Sequence, residues 1–274
     1  MSAQSDRIRN ESRVFATPEQ VQTWLVIGGR IALALALLWI WDVGARRLGE
    51  LFVARPEDIL RRIVEITRSG QLWTDMKATL AATGAGFAIG WTLGTIVPLL
   101  LVASKRASRA IEPYVIASMG IPKFALAPLL ILWFGIGLAP KIVIVSFMVF
   151  YMIFINTFAG LRTVDKRLVD MARVLGATQQ QVARNILWQW MQPFLFSGLR
   201  LAVPRALSAA IVGEFLVADH GLGHYIENAR QTGDTIGVFT GIVVVTLLVL
   251  ALSAALNAIE RRALAWRPSI STSL

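Results

Sequence analysis

The sequence contains no cysteine and only two histidines, and charged residues make up 16% of its 274 residues. Without cysteine the chain has no disulfide framework, no thiolate metal site and no cysteine nucleophile. His220 and His224 lie four residues apart, but Gly221 and Gly223 interrupt the helix that would bring both rings to one metal ion. We therefore expect no metal and read this segment as a solvated loop near the membrane surface, or as a contact for another protein.

A second absence concerns nucleotide chemistry. The pattern Gly-x-x-x-x-Gly-Lys-Ser/Thr of a phosphate-binding loop does not occur, so we expect the chain to hydrolyse no ATP and to hold no cofactor itself. The glycines at 84, 86 and 90 lie inside an apolar run with no strand before them, which favours helix packing over nucleotide binding. An enzyme working inside the membrane would also have few catalytic groups available.

Long uncharged runs dominate what is present. Hydrophobic residues make up 55% of the chain, and no charge occurs in the 25 residues from Thr235 to Ile259 or in the 27 residues between Lys77 and Lys105. About 20 apolar residues cross the hydrocarbon core as a helix, so these runs predict an integral membrane protein. The expected fold class is all-α with six transmembrane helices, at 24–43, 79–103, 111–133, 142–161, 193–218 and 236–257.

Three features modify this simple pattern. The third span contains Pro122, Lys123 and Pro128, so it cannot be a regular helix. The second span has a small residue at every fourth position, which predicts close approach of another helix; these residues are Ala82, Gly86, Gly90 and Gly94. The segment Pro56–Arg68 is amphipathic and predicts a short helix along the membrane surface.

The distribution of basic residues predicts the orientation. With six spans, the tails and the loops at 105–109 and 162–192 share one side and hold 14 Lys and Arg, whereas the other side holds 9. The positive-inside rule therefore places both termini in the cytoplasm. The expected divisions are a cytoplasmic tail at 1–23, the first span with a periplasmic loop at 24–55, a core at 56–262 and a cytoplasmic tail at 263–274. The net charge of +10 follows from these basic loops, so we expect contact with the lipid bilayer and not with nucleic acid.

The cytoplasmic segment 162–192 contains two short helical patterns. Apolar residues at 168, 171, 172 and 175 share one helix face, and Gly176 supplies the permissive backbone of a C-terminal cap. Thr178 and Gln181 have the spacing of a capping box that begins a new helix, with Val182, Ile186 and Trp190 on one side. The apolar surface of this bent element would be covered either by a pocket on a cytoplasmic partner or by the chain's own bundle.

At these residues the chain resembles a known family. Asp170-Met171-Ala172 with Gly176 resembles the Glu-Ala-Ala…Gly loop of binding-protein-dependent ABC importer permeases, with Asp and Met in place of Glu and Ala. Pro122-Lys123, the run Ala127–Gly137, Asn156–Arg162, Gly213-Glu214-Phe215 and Gly221-Leu222-Gly223 resemble its sulfonate, taurine and nitrate branch in collinear order.

The resemblance implies a permease with the type I ABC importer fold in the cell inner membrane. It implies that the loop forms a coupling helix that docks on the ATPase, carried here by Asp170, Ala172, Gly176, Ala177, Thr178 and Gln181. It also implies two separate ATP-binding subunits, a second permease copy that makes a homodimer, and a periplasmic solute-binding protein. The expected cargo is a small anion of the sulfonate, taurine or nitrate kind. The alternative, a stand-alone secondary transporter or channel, would predict paired broken helices in two repeated halves.

Ionisable residues within the later spans are candidates for the translocation path. Lys123, Arg205 and Glu214 lie where a charge is costly in hydrocarbon, so each should face water or a counter-charge. A path role and a structural polar pair are equally open for them. We expect Lys123, the Arg205 of a second subunit, or water to be the partner of Glu214. Arg200 lies near a helix end and is expected to snorkel to the surface.

Overall fold

The computed structural model describes residues 18–49, 51–216 and 219–265. The predicted tails at 1–23 and 263–274 fall mostly outside these residues. The helices, in chain order, are α1 (Pro18–Leu48), α2 (Pro56–Arg68), α3 (Gln71–Ala103), α4 (Lys105–Ser118), α5 (Ala127–Phe134), α6 (Leu138–Arg162), α7 (Lys166–Val174), α8 (Gln179–Val182), α9 (Trp188–Leu216), α10 (Leu222–Gln231) and α11 (Thr235–Ala263). The part of the chain that the structure describes contains no strand, so the all-α class is confirmed.

Five of the described helical segments are long and apolar enough to cross a membrane, and six spans result if one bent helix pair counts as a crossing. The five are Val26–Leu48, Gln71–Ala103, Leu138–Arg162, Gln179–Leu216 and Thr235–Ala263. The surface helix was predicted with the bounds observed for α2, and Ile59 and Ile66 are its buried residues. Each predicted span between 24 and 257, other than the third and the fifth, lies within one observed helix.

The third predicted span, 111–133, is not one helix. Its two halves, Arg106–Ser118 and Lys123–Phe134, meet at an angle of 82°, with a short 3₁₀ turn at Lys123–Leu126 before α5. Proline forces the residue before it out of the helical region, and Pro122 therefore prevents α4 from continuing. Pro128 lies in the first turn of α5, where its missing N–H costs nothing.

The fifth predicted span begins earlier than proline placement indicated. Pro193 was expected to open the helix, but it lies inside α9, which begins at Trp188. Met191 and Leu195 on either side of the proline are 0% and 4% exposed. We attribute the continuation of the helix to this packing, which opposes the intrinsic tendency of proline to break helices.

The chain divides into two compact units, Met1–Asp58 and Ile59–Leu274. In the first unit α1 is largely exposed, and the Trp41 indole Nε1 donates a hydrogen bond to the carbonyl of Ala54 at 3.1 Å. Asp42 accepts from Arg46 at 2.7 Å. The functional features described below all belong to the second unit.

Glycine determines how α3 packs in the second unit. A Cβ atom on Gly86, Gly90 or Gly94 would lie 2.6, 2.6 or 2.9 Å from atoms of α6. Successive glycines along α3 contact residues later in the sequence of α6, from Val145 at Gly86 to Ile153 at Gly94, so the two helices run parallel. The predicted small-residue packing face is confirmed.

Helix α9 packs antiparallel on α6. Gly160 faces Phe194, Gly198 faces Asn156, and Gly213 faces Lys141. The start of α9 therefore lies beside the end of α6, and the end of α9 lies beside the start of α6. Since α3 runs parallel to α6, the segment 162–190 lies at one end of the bundle. The helix ends that contain Asp75, Lys141 and Glu214 lie at the opposite end.

Candidate functional site

The segment between α6 and α9 forms a bent helical element at one end of the bundle. Asp165 caps the start of helix α7, and its side chain accepts a hydrogen bond from the Arg167 amide at 2.9 Å. It ends in a Schellman motif, because the Ala177 amide donates to the Ala172 carbonyl and the Gly176 amide donates to the Arg173 carbonyl, both at 2.9 Å. Gly176 has φ +83°, which confirms the predicted glycine cap.

Helix α8 begins with the predicted capping box. The Gln181 amide donates to Thr178 Oγ1 at 3.3 Å, and the Thr178 amide donates to Gln181 Oε1 at 2.8 Å. A π-helical stretch, Ala183–Leu187, then joins α8 to α9. Such stretches occur often at functional sites.

The two halves of this element share one apolar groove of about 510 Å³, which we call the coupling groove. It is lined by Leu168, Met171, Ala172, Leu175, Asn185, Ile186, Gln189, Trp190, Pro193 and Phe194. Leu175 of this lining and its chain neighbour Val174 are 79% and 87% exposed, so the bundle does not cover this surface. Val182, which was expected beside Ile186 and Trp190, is 5% exposed and packs inward.

Hydrogen bonds attach the element to the bundle. Trp190 Nε1 donates to Thr163 Oγ1 at 3.1 Å, and Arg162 pairs with Glu112 of α4 at 2.6 Å. Of the six residues that the sequence assigned to the coupling loop, four are exposed to solvent, and Ala172 and Ala177 are half-buried. The exposed residues are Asp170, Gly176, Thr178 and Gln181. All six lie on this one element, which presents backbone caps and apolar side chains rather than a catalytic constellation.

Lys123 and Arg205, the two basic path candidates, are not brought together with Glu214. The Lys123 ammonium donates to the Met119 carbonyl and lies 4.5 Å from the centre of the Tyr151 ring, at the bend of the broken span. Tyr151 in turn donates to Ser118 at 2.8 Å. Arg205 is exposed on α9 and has no hydrogen-bond or ion-pair partner within residues 18–49, 51–216 and 219–265.

The expected pairing of Glu214 with Lys123 was wrong. Glu214 is 1% exposed, and its carboxylate accepts from the Thr79 hydroxyl at 3.0 Å and from the Gly223 amide at 2.8 Å. Its cationic neighbour is Lys141, with Nζ 3.9 Å from Oε1. Lys141 falls just outside the predicted span at 142–161, yet it lies in the first turn of α6 and is 5% exposed.

The same cluster holds the beginning of α10. The Gly221 amide donates to Asp75 Oδ1 at 3.0 Å, and the Leu222 amide donates to Thr79 Oγ1 at 2.9 Å. Sequence reasoning missed Asp75, Thr79 and Lys141 as members of one site. The available signal was the run Gly221-Leu222-Gly223, since glycines permit close backbone approach.

The exposed edge of α10 carries a tight ion pair. Arg230 donates to the Glu227 carboxylate at 2.6 and 2.8 Å, and Gln231 adds a bond at 2.9 Å. These hydrogen bonds lower the pKa of Glu227 to about 2, so its carboxylate is ionised at neutral pH. In the described residues no group of three or more His, Asp or Glu side chains is arranged to hold a metal ion.

Comparison with known sequences identifies relatives of this chain. Residues 78–264 match the family model described as binding-protein-dependent transport system inner membrane component. A formylaminopyrimidine transport permease of Halalkalibacterium halodurans is 34% identical over 234 residues, which are 85% of this chain and 93% of that protein. A riboflavin transport system permease of Chloroflexus aurantiacus is 32% identical over 90% of this chain and 92% of its own length. A putative aliphatic sulfonates transport permease of Bacillus subtilis is 30% identical over 87% of each chain.

Solved structures share the fold. A chain of an inward-facing methionine ABC transporter superposes with a TM-score of 0.59 at 23% identity, covering 68% of this chain and 92% of that one. A chain of a bacterial transporter for the polysaccharide alginate gives a TM-score of 0.62 at 18% identity, covering 88% and 99%. These likenesses confirm the importer-permease architecture that the sequence predicted.

Proposed function

This chain belongs to the family of binding-protein-dependent transport system inner membrane components. From that premise we propose that it couples solute import to ATP hydrolysis on separate subunits, and that these subunits dock at the coupling groove. The chain itself is a multi-pass permease subunit and not the ATPase. The observation that carries the proposal is an exposed apolar element that local caps hold in a defined shape outside the bundle. A surface of this kind fits a pocket on a folded partner.

The docking role falls on Asp170, Ala172, Gly176, Ala177, Thr178 and Gln181, with the exposed Val174 and Leu175 as apolar contacts. The Schellman motif and the capping box satisfy backbone groups at the turn, so the element keeps its shape without help from its partner. A pre-shaped element loses little conformational entropy on docking. ATP would be bound by the docked subunits, and the permease would need no cofactor of its own.

The position of the element suits mechanical coupling. It continues directly from α6 and leads into α9, and both helices extend to the opposite end of the bundle. Movement of the docked subunits would therefore displace α6 and α9 together. The segment between them would in this way transmit a change between two conformations of the ATP-binding subunits to the bundle.

Two copies of the chain, two ATP-binding subunits and a periplasmic solute-binding protein complete the proposed assembly. Arg205 has no partner among the described residues, and this supports a second permease copy, because a guanidinium exposed within a span is costly in lipid and would face water between two copies. A homodimer would place two such residues around one central path.

The proposed cargo is a small anion of the sulfonate, taurine or nitrate kind. The relatives are named for formylaminopyrimidine, riboflavin and aliphatic sulfonates, so their names do not agree on a cargo class. The support comes from Lys123 and Arg205, two cations inside membrane-spanning segments. Glu214 is left out of the path because it is buried with its carboxylate occupied.

Both termini would lie in the cytoplasm. The start of α11 packs beside α10, with Gly237 facing Ala229, whereas Glu260 near its other end pairs at 3.0 Å with Arg200 in the middle of α9. The end of α11 therefore lies at the same end of the bundle as the coupling groove. Arg200 itself was expected only to snorkel, and this pair gives it a specific partner. A secondary transporter, the rival function, offers no role for the coupling groove.

Leu175→Glu, with Leu175→Met as the matched control, tests the docking surface. Membranes containing the tagged chain, its ATP-binding subunit and its solute-binding protein would be assayed for co-purification of the ATP-binding subunit and for ATP-dependent uptake. We expect Leu175→Glu to abolish both at normal permease abundance, because a charge enters an apolar contact, and Leu175→Met to retain both. Uptake without any attached ATP-binding subunit would favour the secondary transporter instead.

A further inference from the structure

Helix α10 is held differently at its two ends. At its C-terminal end the Asp234 amide donates to the Ala229 carbonyl at 2.8 Å and the Gly233 amide to the Arg230 carbonyl at 3.3 Å, which is a Schellman motif within the local chain. At its N-terminal end the cap residue Gly221 offers no side chain. The first amides of a helix have no intrahelical acceptor, so this end depends on other elements.

Those acceptors come from α3 and α9. Asp75 Oδ1, Thr79 Oγ1 and Glu214 Oε2 accept from three successive amides, at 3.0, 2.9 and 2.8 Å. We call Asp75, Thr79 and Glu214 the α10 clamp. Two of its members are carboxylates, which also interact favourably with the partial positive charge of a helix N-terminus.

The clamp is dry. Asp75, Thr79 and Glu214 are 6%, 0% and 1% exposed, so water cannot replace a lost bond without the helix moving. Thr79 contributes twice, because its hydroxyl donates to Glu214 and accepts from the Leu222 amide. Lys141 places a compensating positive charge 3.9 Å from Glu214. Loss of one partner leaves a buried charged or polar group unsatisfied.

Glycine makes the close approach possible. A Cβ on Gly221 would lie 2.4 Å from Glu214 Cδ, and a Cβ on Gly223 would lie 2.6 Å from the Ile211 carbonyl oxygen. Gly221 also has φ +133°, which side chains rarely allow. The backbone of α10 therefore reaches the carboxylates only because these two positions lack side chains.

The clamp also joins the helices that lead to the coupling groove. Asp75 and Thr79 lie on α3, Lys141 on α6 and Glu214 on α9, while the opposite ends of α6 and α9 flank the groove. A shift of α6 and α9 relative to α3 would separate the acceptors that hold α10. Whether the start of α10 stays attached to the bundle therefore depends on the relative positions of α3, α6 and α9.

We propose that Asp75, Thr79 and Glu214 are positioning residues for transport, which hold α10 on the bundle at the end opposite the coupling groove and link its attachment to the movement of α6 and α9. The proposal rests on the proposed function, since transport is the activity it modifies. α10 lies on the side to which the solute-binding protein would deliver cargo. Releasing the clamp would detach the beginning of α10 and uncouple delivery from ATP hydrolysis.

A thiol-labelling experiment tests the clamp in the whole chain. The protein has no cysteine, so Leu222→Cys introduces one thiol on the buried face at the beginning of α10, where Leu222 is 2% exposed. Thr79→Val, which keeps the side-chain shape but removes the hydroxyl, is compared with Thr79→Ser, which keeps the hydroxyl. Labelling by a membrane-impermeant maleimide is measured in cells, and solute-stimulated ATPase activity and uptake are measured in the assembled transporter.

We expect Thr79→Val to raise the labelling rate about tenfold and to lower stimulated ATPase and uptake to a similar degree. Thr79→Ser should match the parent in both. Unchanged labelling in Thr79→Val at parental abundance would overturn the clamp, and increased labelling with normal transport would overturn its role in transport. If Thr79→Val lowers abundance, Asp75→Ala against Asp75→Asn gives the same comparison, because only asparagine retains an acceptor for the Gly221 amide. A parent chain without binding-protein-dependent uptake would instead refute the proposed function and leave the labelling result valid.

Discussion

Lys141 Nζ lies 3.9 Å from Glu214 Oε1, and this contact joins the first turn of α6 to the last turn of α9. Both side chains are nearly inaccessible, at 5% and 1% exposure. A buried pair of this kind contributes little net stability compared with apolar replacements, but loss of one partner strands a charge. The pair therefore makes the packing of the two helices sensitive to single substitutions.

The first prediction follows from this pair. Lys141→Met and Glu214→Gln should each lower membrane abundance and melting temperature, because in soluble proteins a stranded buried charge costs about 3–5 kcal/mol. The double variant Lys141→Met, Glu214→Gln should recover part of the loss. Immunoblotting and thermal melting of the detergent-solubilised protein measure both. Losses that simply add in the double variant would show that the two groups act independently.

The second prediction concerns the turn of the coupling element. Gly176→Val should reduce attachment of the ATP-binding subunit and uptake, because a β-branched residue at φ +83° is strained, and even an unbranched L-residue loses about 1–2 kcal/mol in the left-handed region. Gly176→Asn is the matched control, since asparagine tolerates this conformation better. The measurements are co-purification and uptake at equal permease abundance. Normal coupling in Gly176→Val would mean that this turn does not determine the docking geometry.

The third prediction compares two glycines of α3. Gly90→Ala should destabilise the bundle by about 1–3 kcal/mol, because its Cβ would lie 2.6 Å from the Ser146 carbonyl oxygen on α6. Gly84→Ala lies in the same helix with nothing within 4 Å of its Cβ, so it should be neutral or slightly stabilising. Thermal melting of the purified variants separates the two. Equal melting temperatures would argue against tight packing of α3 on α6.

The fourth prediction concerns the proposed path. Lys123→Gln and Arg205→Gln should retain normal abundance and lower the uptake of an anionic solute, because a neutral path attracts anions less. Arg200→Gln is the control, since Arg200 is already paired with Glu260 of α11 at 3.0 Å. Uptake of the same labelled solute is compared across the three variants. If both path variants transport the anion normally, the anionic-cargo proposal fails.

The fifth prediction concerns topology. A reporter that is active only in the periplasm should function when fused after Gly137 or Asp234 and should be silent after Arg109 or Gln181. The reason is that the coupling groove must face the cytoplasm to meet an ATP-binding subunit. Reporter activity after Gln181 would place the groove outside the cell and contradict the coupling mechanism.

Much of the coupling element was predictable because its determinants are local. Gly176 sits at a left-handed position, and Thr178 and Gln181 cap a helix three residues apart, so each can be recognised within one turn of chain. What could not be predicted is that the residues before and after the turn line a single groove. That depends on the angle at which the two halves meet.

The buried polar cluster around Glu214 could not be predicted, because its members are distant in sequence. Thr79 and Glu214 are 135 residues apart in sequence, and Asp75 and Gly221 are 146 residues apart. Periodicity indicates which face of a helix is apolar, but it carries no record of which distant polar group will lie beside it. Glu214 was therefore identified as a costly intramembrane charge, but its observed neighbour Lys141 was not, because Lys141 falls just outside the predicted span at 142–161.

The sequence by itself determined that the chain spans the membrane, where most of its helices lie, and that α3 presents a glycine face, because hydropathy and side-chain size act along a single segment. The family also follows from the sequence. Tertiary structure alone decided that α3 and α6 run parallel with α9 antiparallel, and that the third span bends by 82°. It also decided that two buried carboxylates and a threonine hold the start of α10. These features depend on contacts between distant segments, whose free energies exist only once the helices are packed together.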